Sequence, residues 1–183
     1  AEFSVKDSTG TVIGQMITDA NGTATSPELP FGTYKVQETK APFGYELDPT
    51  VHTVELNSTT PVTINHTNKK IIGSIQITKV DAEDPKKVLS GAEFTLYDYK
   101  NNIVSKATTD INGIASFNNL TLGAYTIKET KAPNGYVLSD QVISTEIKTQ
   151  GQSLKFTVIN SKKVGEVEFS KTDVSTGDII EGA

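Results

Sequence analysis

ETKAPFGY at Glu38–Tyr45 and ETKAPNGY at Glu129–Tyr136 differ at one residue, and the offset of 91 between them decides how the rest of the chain is read. Ala1-Glu2-Phe3 returns at the same offset as Ala92-Glu93-Phe94. GSIQITK at Gly73–Lys79 is matched by GEVEFSK at Gly165–Lys171, an offset of 92 that implies one inserted residue. A period near 90 is too long for a solenoid unit and suits a small domain strung in tandem. The repeat divides the 183 residues into a copy lacking its first strand (1–68), a complete copy (69–162), and an opening strand with nothing after it (163–183). Glu181-Gly182-Ala183 reads into Ala1-Glu2-Phe3 as Ser90-Gly91 reads into Ala92-Glu93-Phe94. The expectation is either a piece of a longer tandem array or a chain arranged so that one molecule completes the next.

Within each copy the pattern is strand after strand. The 25 threonines, the β-branched and aromatic residues alternating with polar ones, and the turn signals at short spacing all favour sheet, and no segment has helical periodicity. Asp19-Ala20-Asn21-Gly22 and Asp110-Ile111-Asn112-Gly113 mark turns. An all-β sandwich or barrel follows.

Composition excludes several functions. All 17 basic residues are lysines against 22 acidic ones, a net charge of -5, so the chain has no bidentate reader of guanine or phosphate and repels a polyanion; nucleic acid is not expected as a partner. The absence of cysteine removes disulfides, thiolate metal sites and cysteine nucleophiles. With Ala1 first, no signal peptide and no apolar run long enough to cross a bilayer, an excised or mature segment without membrane insertion is expected, any anchor lying outside it.

Strand parity singles out three polar residues. Side chains two apart share a face, so Ile75 and Ile77 lead to Lys79, Tyr125 and Ile127 lead to Glu129, and Leu154, Phe156 and Val158 lead to Asn160. Each polar residue continues an inward apolar row, which is costly unless the three meet. The incomplete copies repeat the pattern with Tyr34 and Val36 before Glu38, with Val62, Ile64 and His66 before Asn68, and with Val167 and Phe169 before Lys171. Asn68 is preferred to the outward Asn65 because it stands five residues before Gly73, as Asn160 stands five before Gly165. Two readings stay open. The trio is a plain hydrogen-bonded cluster, or a dry environment lowers the lysine pKa and raises that of the acid, so that a neutral Lys79 amine attacks the Asn160 carbonyl with Glu129 polarising it and shuttling protons.

The motifs SIQITKVD around Lys79, LSGAEFTLYD at Leu89–Asp98, LTLGAYTIKETKAPNGY at Leu120–Tyr136 and FTVINSKK at Phe156–Lys163 resemble the CnaB-type domains of Gram-positive surface proteins, also known as prealbumin-like, collagen-adhesin B or SpaA-type pilin domains. AEFSVKD, LPFGTYKVQETKAPFGY and VTINHTNKK extend the resemblance through the first copy. The resemblance implies a Greek-key β-sandwich, Ig-like in build, with an autocatalytic Lys–Asn isopeptide bond: Lys79 and Asn160 joined, with Glu129 of the E-box as catalyst. The first copy has Glu38 and Asn68 but no such lysine, and 163–183 has Lys171 without its partners, so head-to-tail joining of Lys171 to Asn68 beside Glu38 is expected. No cofactor is implied.

His52 and His66 read as lone strand or loop residues rather than metal ligands, the Asp-x-Asn-Gly turns as hairpins rather than calcium loops, and Lys69, Lys70, Lys162 and Lys163 as solvated linkers. Neither a Tyr-Pro-Lys pilin motif nor an LPxTG sorting signal is present. The resulting expectation is a structural stalk module of an extracellular, wall-anchored adhesin or pilus-like protein. It turns over nothing, spaces domains mechanically and resists proteases. Its partners are neighbouring repeats or another copy of itself. The alternative is a binding module for a host matrix protein such as collagen or fibrinogen.

Overall fold

The computed structural model describes residues 1–179; the Glu181-Gly182-Ala183 end of the expected opening strand lies outside the described residues. In the first half, β1 (Glu2–Lys6), β2 (Val12–Ile17), β3 (Gly32–Lys40) and β4 (Val51–Leu56) form an antiparallel sheet in the order β2-β1-β3-β4. The second half contains β5 (Ile72–Asp81), β6 (Glu93–Asp98), β7 (Ile103–Thr108), β8 (Ile114–Thr121), β9 (Gly123–Lys131), β10 (Val142–Ile147) and β11 (Ser153–Asn160). Its sheet β10-β9-β6-β7 repeats the sheet of the first half strand for strand. A second sheet, β11-β5-β8, closes the sandwich. Among the described residues there is no helix.

The second half buries Ile75, Ile77, Phe94, Leu96, Phe117, Ile127, Ile147 and Val158 between its sheets. The first strand β5 is central in the smaller sheet: it pairs antiparallel with β8 and parallel with the last strand, β11, with Lys79 opposite Val158 and Asp81 opposite Asn160. Gly113 makes the tight entry to β8 possible. Its φ of 71° is left-handed, and a Cβ there would lie 2.8 Å from the Lys79 carbonyl oxygen. The preceding Asp110 carboxylate accepts the N–H groups of Asn112 and Ile114, closing the turn; Asp19 does the same for Asn21 and Thr23.

In the first half, expected to lack its first strand, only one of the two sheets forms among the described residues. By the repeat offset, 23–30 corresponds to β8 and 61–69 to β11, yet neither segment is in a ladder. The cause is visible in the second half, where β8 and β11 flank β5 and do not pair with each other. Without a β5 equivalent, both segments lack the backbone partners that make a strand. They still lie on the sheet, because Leu29 and Ile64 pack against Val5, Tyr34 and Val36. The residues corresponding to β5 itself, 165–173, form no ladder where they stand; Val167 is 77% and Phe169 90% exposed, a sequence patterned for a core with no core around it.

Candidate functional site

The structure brings Lys79, Glu129 and Asn160 together inside the second sandwich. Each ends an apolar row on its own strand, and the three are 0%, 5% and 2% exposed. The Asn160 amide nitrogen donates to both carboxylate oxygens of Glu129, at 3.2 and 3.1 Å. The Ser139 N–H donates to Glu129 Oε2 at 2.6 Å and anchors the acid from the opposite side. Lys79 Nζ donates to the Val158 carbonyl at 3.0 Å and lies 3.9 Å from Glu129 Oε1. Asn160 Oδ1 is buried and has no hydrogen-bond partner. Burial pushes the Lys79 ammonium down to about 8, against the opposing pull of the Glu129 carboxylate. One carboxylate therefore faces both a primary amine that readily loses its proton and the nitrogen of a primary amide, with water shut out.

The first half holds the same acid and amide without an amine. Glu38 Oε2 accepts from Asn68 Nδ2 at 2.7 Å and from the Asp48 N–H at 2.9 Å, as Glu129 accepts from Asn160 and Ser139. Glu38 Oε1 is buried and unpartnered. Asn65 points outward and is exposed. Lys171 is not brought to this site within the chain; it sits in the exposed segment that ends the described residues.

Two readings of the sequence need correction. His52 and His66 are not isolated: their ring nitrogens lie 3.0 Å apart, and His66 Nε2 is 3.7 Å from Glu38 Oε2, buried and without a hydrogen bond. His66 occupies the position that Val158 holds in the complete copy, so an imidazole takes up part of the space an apolar side chain fills there. Nor is Lys162 a plain linker residue. Its Nζ donates to Glu83 at 2.9 Å and lies 3.7 Å from the wholly buried Asp81, and its backbone bridges Tyr136.

Asp81 belongs to a polar cluster that parity did not single out. Its Oδ2 accepts the Tyr136 hydroxyl at 2.8 Å, and its Oδ1 accepts the N–H groups of Glu83 and Asp84. The signal was present in the sequence, since both Lys79 and Lys171 are followed two residues later by aspartate.

Comparison with known proteins agrees with this architecture. The chain is 29% identical over 175 residues to serine-aspartate repeat-containing protein D of Staphylococcus aureus, covering 84% of this chain and 13% of that protein. It is 35% identical over 104 residues to the trypsin-resistant surface T6 protein of Streptococcus pyogenes, covering 52% and 19%. The chain thus spans less than a fifth of these relatives. Among solved structures, the Bacillus anthracis TIE protein superposes with a TM-score of 0.79 at 37% identity, covering 88% of this chain and 30% of that one. A C-terminal fragment of the pilus adhesin SpaC from Lactobacillus rhamnosus GG shares the fold, with a TM-score of 0.65, 19% identity and 91% of each chain covered. Of these, one is named as a surface protein and one as a pilus adhesin. The SpaA family model, a prealbumin-like fold domain, matches residues 1–70 and again 73–162, and the chain belongs to that family.

Proposed function

We propose that the chain is a stalk module of a wall-anchored Gram-positive surface protein, in which Lys79 and Asn160 become joined by an isopeptide bond. The observation that carries this reading is the position of Glu129, 3.9 Å from the attacking nitrogen and 3.1 Å from the leaving one. With Lys79 held at about 8, about 9% of the amine is neutral at pH 7, against about 0.03% for an ordinary lysine.

The neutral amine adds to the Asn160 side-chain carbonyl carbon, forming a C–N bond. Glu129 takes a proton from the new ammonium and delivers one to the amide nitrogen, the C–N bond to that nitrogen breaks, and ammonia leaves. The product is a secondary amide, and Glu129 ends as it began. The two side chains are consumed, so the reaction occurs once per site.

The same chemistry extends between molecules. The first half presents Glu38 and Asn68 beside a missing strand, and 165–171 of a second copy supplies a strand of the right pattern with Lys171 in the place of Lys79. Intact mass and denaturing electrophoresis test both parts. One ammonia is lost per internal bond, Glu129→Ala restores the unmodified mass, and a covalent ladder disappears on Lys171→Ala. A parent mass equal to that of the sequence overturns the internal bond, and a single monomer band overturns the exchange between molecules.

A further inference from the structure

Each reactive lysine is followed two residues later by an aspartate, and in the complete copy that aspartate is a clamp. Asp81 closes the end of β5 by accepting the N–H groups of Glu83 and Asp84 on one oxygen. Its other oxygen takes the Tyr136 hydroxyl and faces the Nζ of both Lys87 and Lys162, each at 3.7 Å. Tyr136 comes from the chain beyond β9 and Lys162 from the chain beyond β11, so one buried carboxylate ties together the ends of three strands. These contacts hold the acid down at about 2, the Glu83 N–H contributing most and the Tyr136 hydroxyl next.

The receiving half of this clamp is already built in the first copy. Tyr45 bridges Lys70 as Tyr136 bridges Lys162. The Tyr45 N–H donates to the Pro42 carbonyl at 3.1 Å and the Ile71 N–H to Gly44 at 2.8 Å; their counterparts are Tyr136 to Pro133 at 3.1 Å and Lys163 to Gly135 at 2.9 Å. The donating half stands at the other end of the chain. Asp173 Oδ1 accepts the N–H groups of Ser175 at 2.7 Å and Thr176 at 3.0 Å, the same local turn as at Asp81.

We infer that Asp173 of one copy docks on Tyr45 and Lys70 of another, and that this contact sets the register in which Lys171 meets Glu38 and Asn68. The inference rests on the strand-exchange reading above. A register device is needed because a strand with period 2 is ambiguous: a slip of one residue turns Val167, Phe169 and Lys171 outward, but a slip of two keeps the same face inward. In the two slipped registers the residue reaching the Glu38 carboxylate is Phe169 or Asp173. The apolar row does not discriminate against these. The aspartate does, since only one register brings it, with its own turn, to the tyrosine hydroxyl and the lysine.

The experiment mixes the Lys171→Ala protein, which cannot donate its own lysine, with a synthetic peptide of residues 163–178, and follows adduct formation by mass spectrometry. Tyr45→Phe in the protein, or Asp173→Asn in the peptide, slows adduct formation roughly tenfold to a hundredfold, the range expected for one lost hydrogen bond to a buried charge. Combining the two changes slows it little further, and Lys70→Met reports independently. A second peptide carrying Lys171→Ala reads non-covalent docking alone, by fluorescence anisotropy, and loses affinity in the same proportion with Tyr45→Phe. Adducts that form at an unchanged rate with Tyr45→Phe and with Asp173→Asn overturn the clamp and leave strand exchange standing. A peptide that neither docks nor reacts overturns both. Clamp-dependent docking without an adduct upholds the clamp and removes the bond between molecules.

Discussion

Replacing Lys79 by methionine removes the proposed tether and, with it, the Lys79 Nζ hydrogen bond to the Val158 carbonyl. The methionine stem fills nearly the volume of the lysine stem in a position that is 0% exposed, and it carries no charge to bury. Glu129 keeps the Ser139 N–H at 2.6 Å and both contacts from the Asn160 amide. What is lost is the closure of a loop of about 80 residues, worth about 4.5 kcal/mol by the chain-entropy estimate used for disulfides. For a unit of about 90 residues that corresponds to a fall in melting temperature of roughly 20 to 30 °C. Calorimetry on parent and variant reads the shift, and intact mass on the same samples reads the ammonia. A variant melting within a few degrees of a parent that has lost ammonia refutes the reasoning, because the tether then contributes no stability. Asn160→Ala is the less clean comparison, since it leaves both the Lys79 amine and the Glu129 carboxylate buried without the amide between them.

That variant is informative about pH instead. In Asn160→Ala the amine stays free, and its folded value of about 8 lies below the ordinary 10.5. Between those values the unfolded chain binds the extra proton, so stability rises as pH increases from about 8 towards 10.5 and levels off beyond, as read by denaturant titration; the bonded parent lacks this rise. Gly113→Ala forces a side chain into a φ of 71° and against the Lys79 carbonyl oxygen, and lowers the stability of the second half by about 2 to 3 kcal/mol in the same assay. His66→Val places in the first half the residue found at position 158 and removes a buried ring nitrogen that has no partner; the first half gains about 1 kcal/mol by thermal denaturation, net of the lost His52 contact.

The elements legible in the sequence were those whose signal is local. Alternation along β5, β9 and β11 was enough to place Ile77, Ile127 and Val158 inward together with the polar residue that follows each, because a half-buried strand reveals its faces without reference to its neighbours. The contents of the first half were not legible in the same way. Val62, Ile64 and His66 carry a strand pattern, but pattern does not supply a partner, and with nothing filling the β5 position the segment stays out of any ladder. The surroundings of His66 are illegible for a related reason: its neighbours His52 and Glu38 are 14 and 28 residues away in the chain and meet it only across the sheet. Asp81 and Tyr136 were hidden by a separation of 55 residues and by the end of a strand, where parity ceases to inform.

The parallel pairing of β5 with β11 governs how such a module answers a sudden jolt. Force entering at Ile72 and leaving past Asn160 slides two neighbouring strands along one another instead of peeling them apart. With the proposed Lys79–Asn160 bond in place, the load would cross after eight residues, roughly 26 Å of chain, and the bypassed stretch, roughly 270 Å if drawn out, would never be paid out. A thread of units bonded in this way would have almost no give. It would dissipate nothing by unravelling, so any damping would have to reside at its attachments and not along its length.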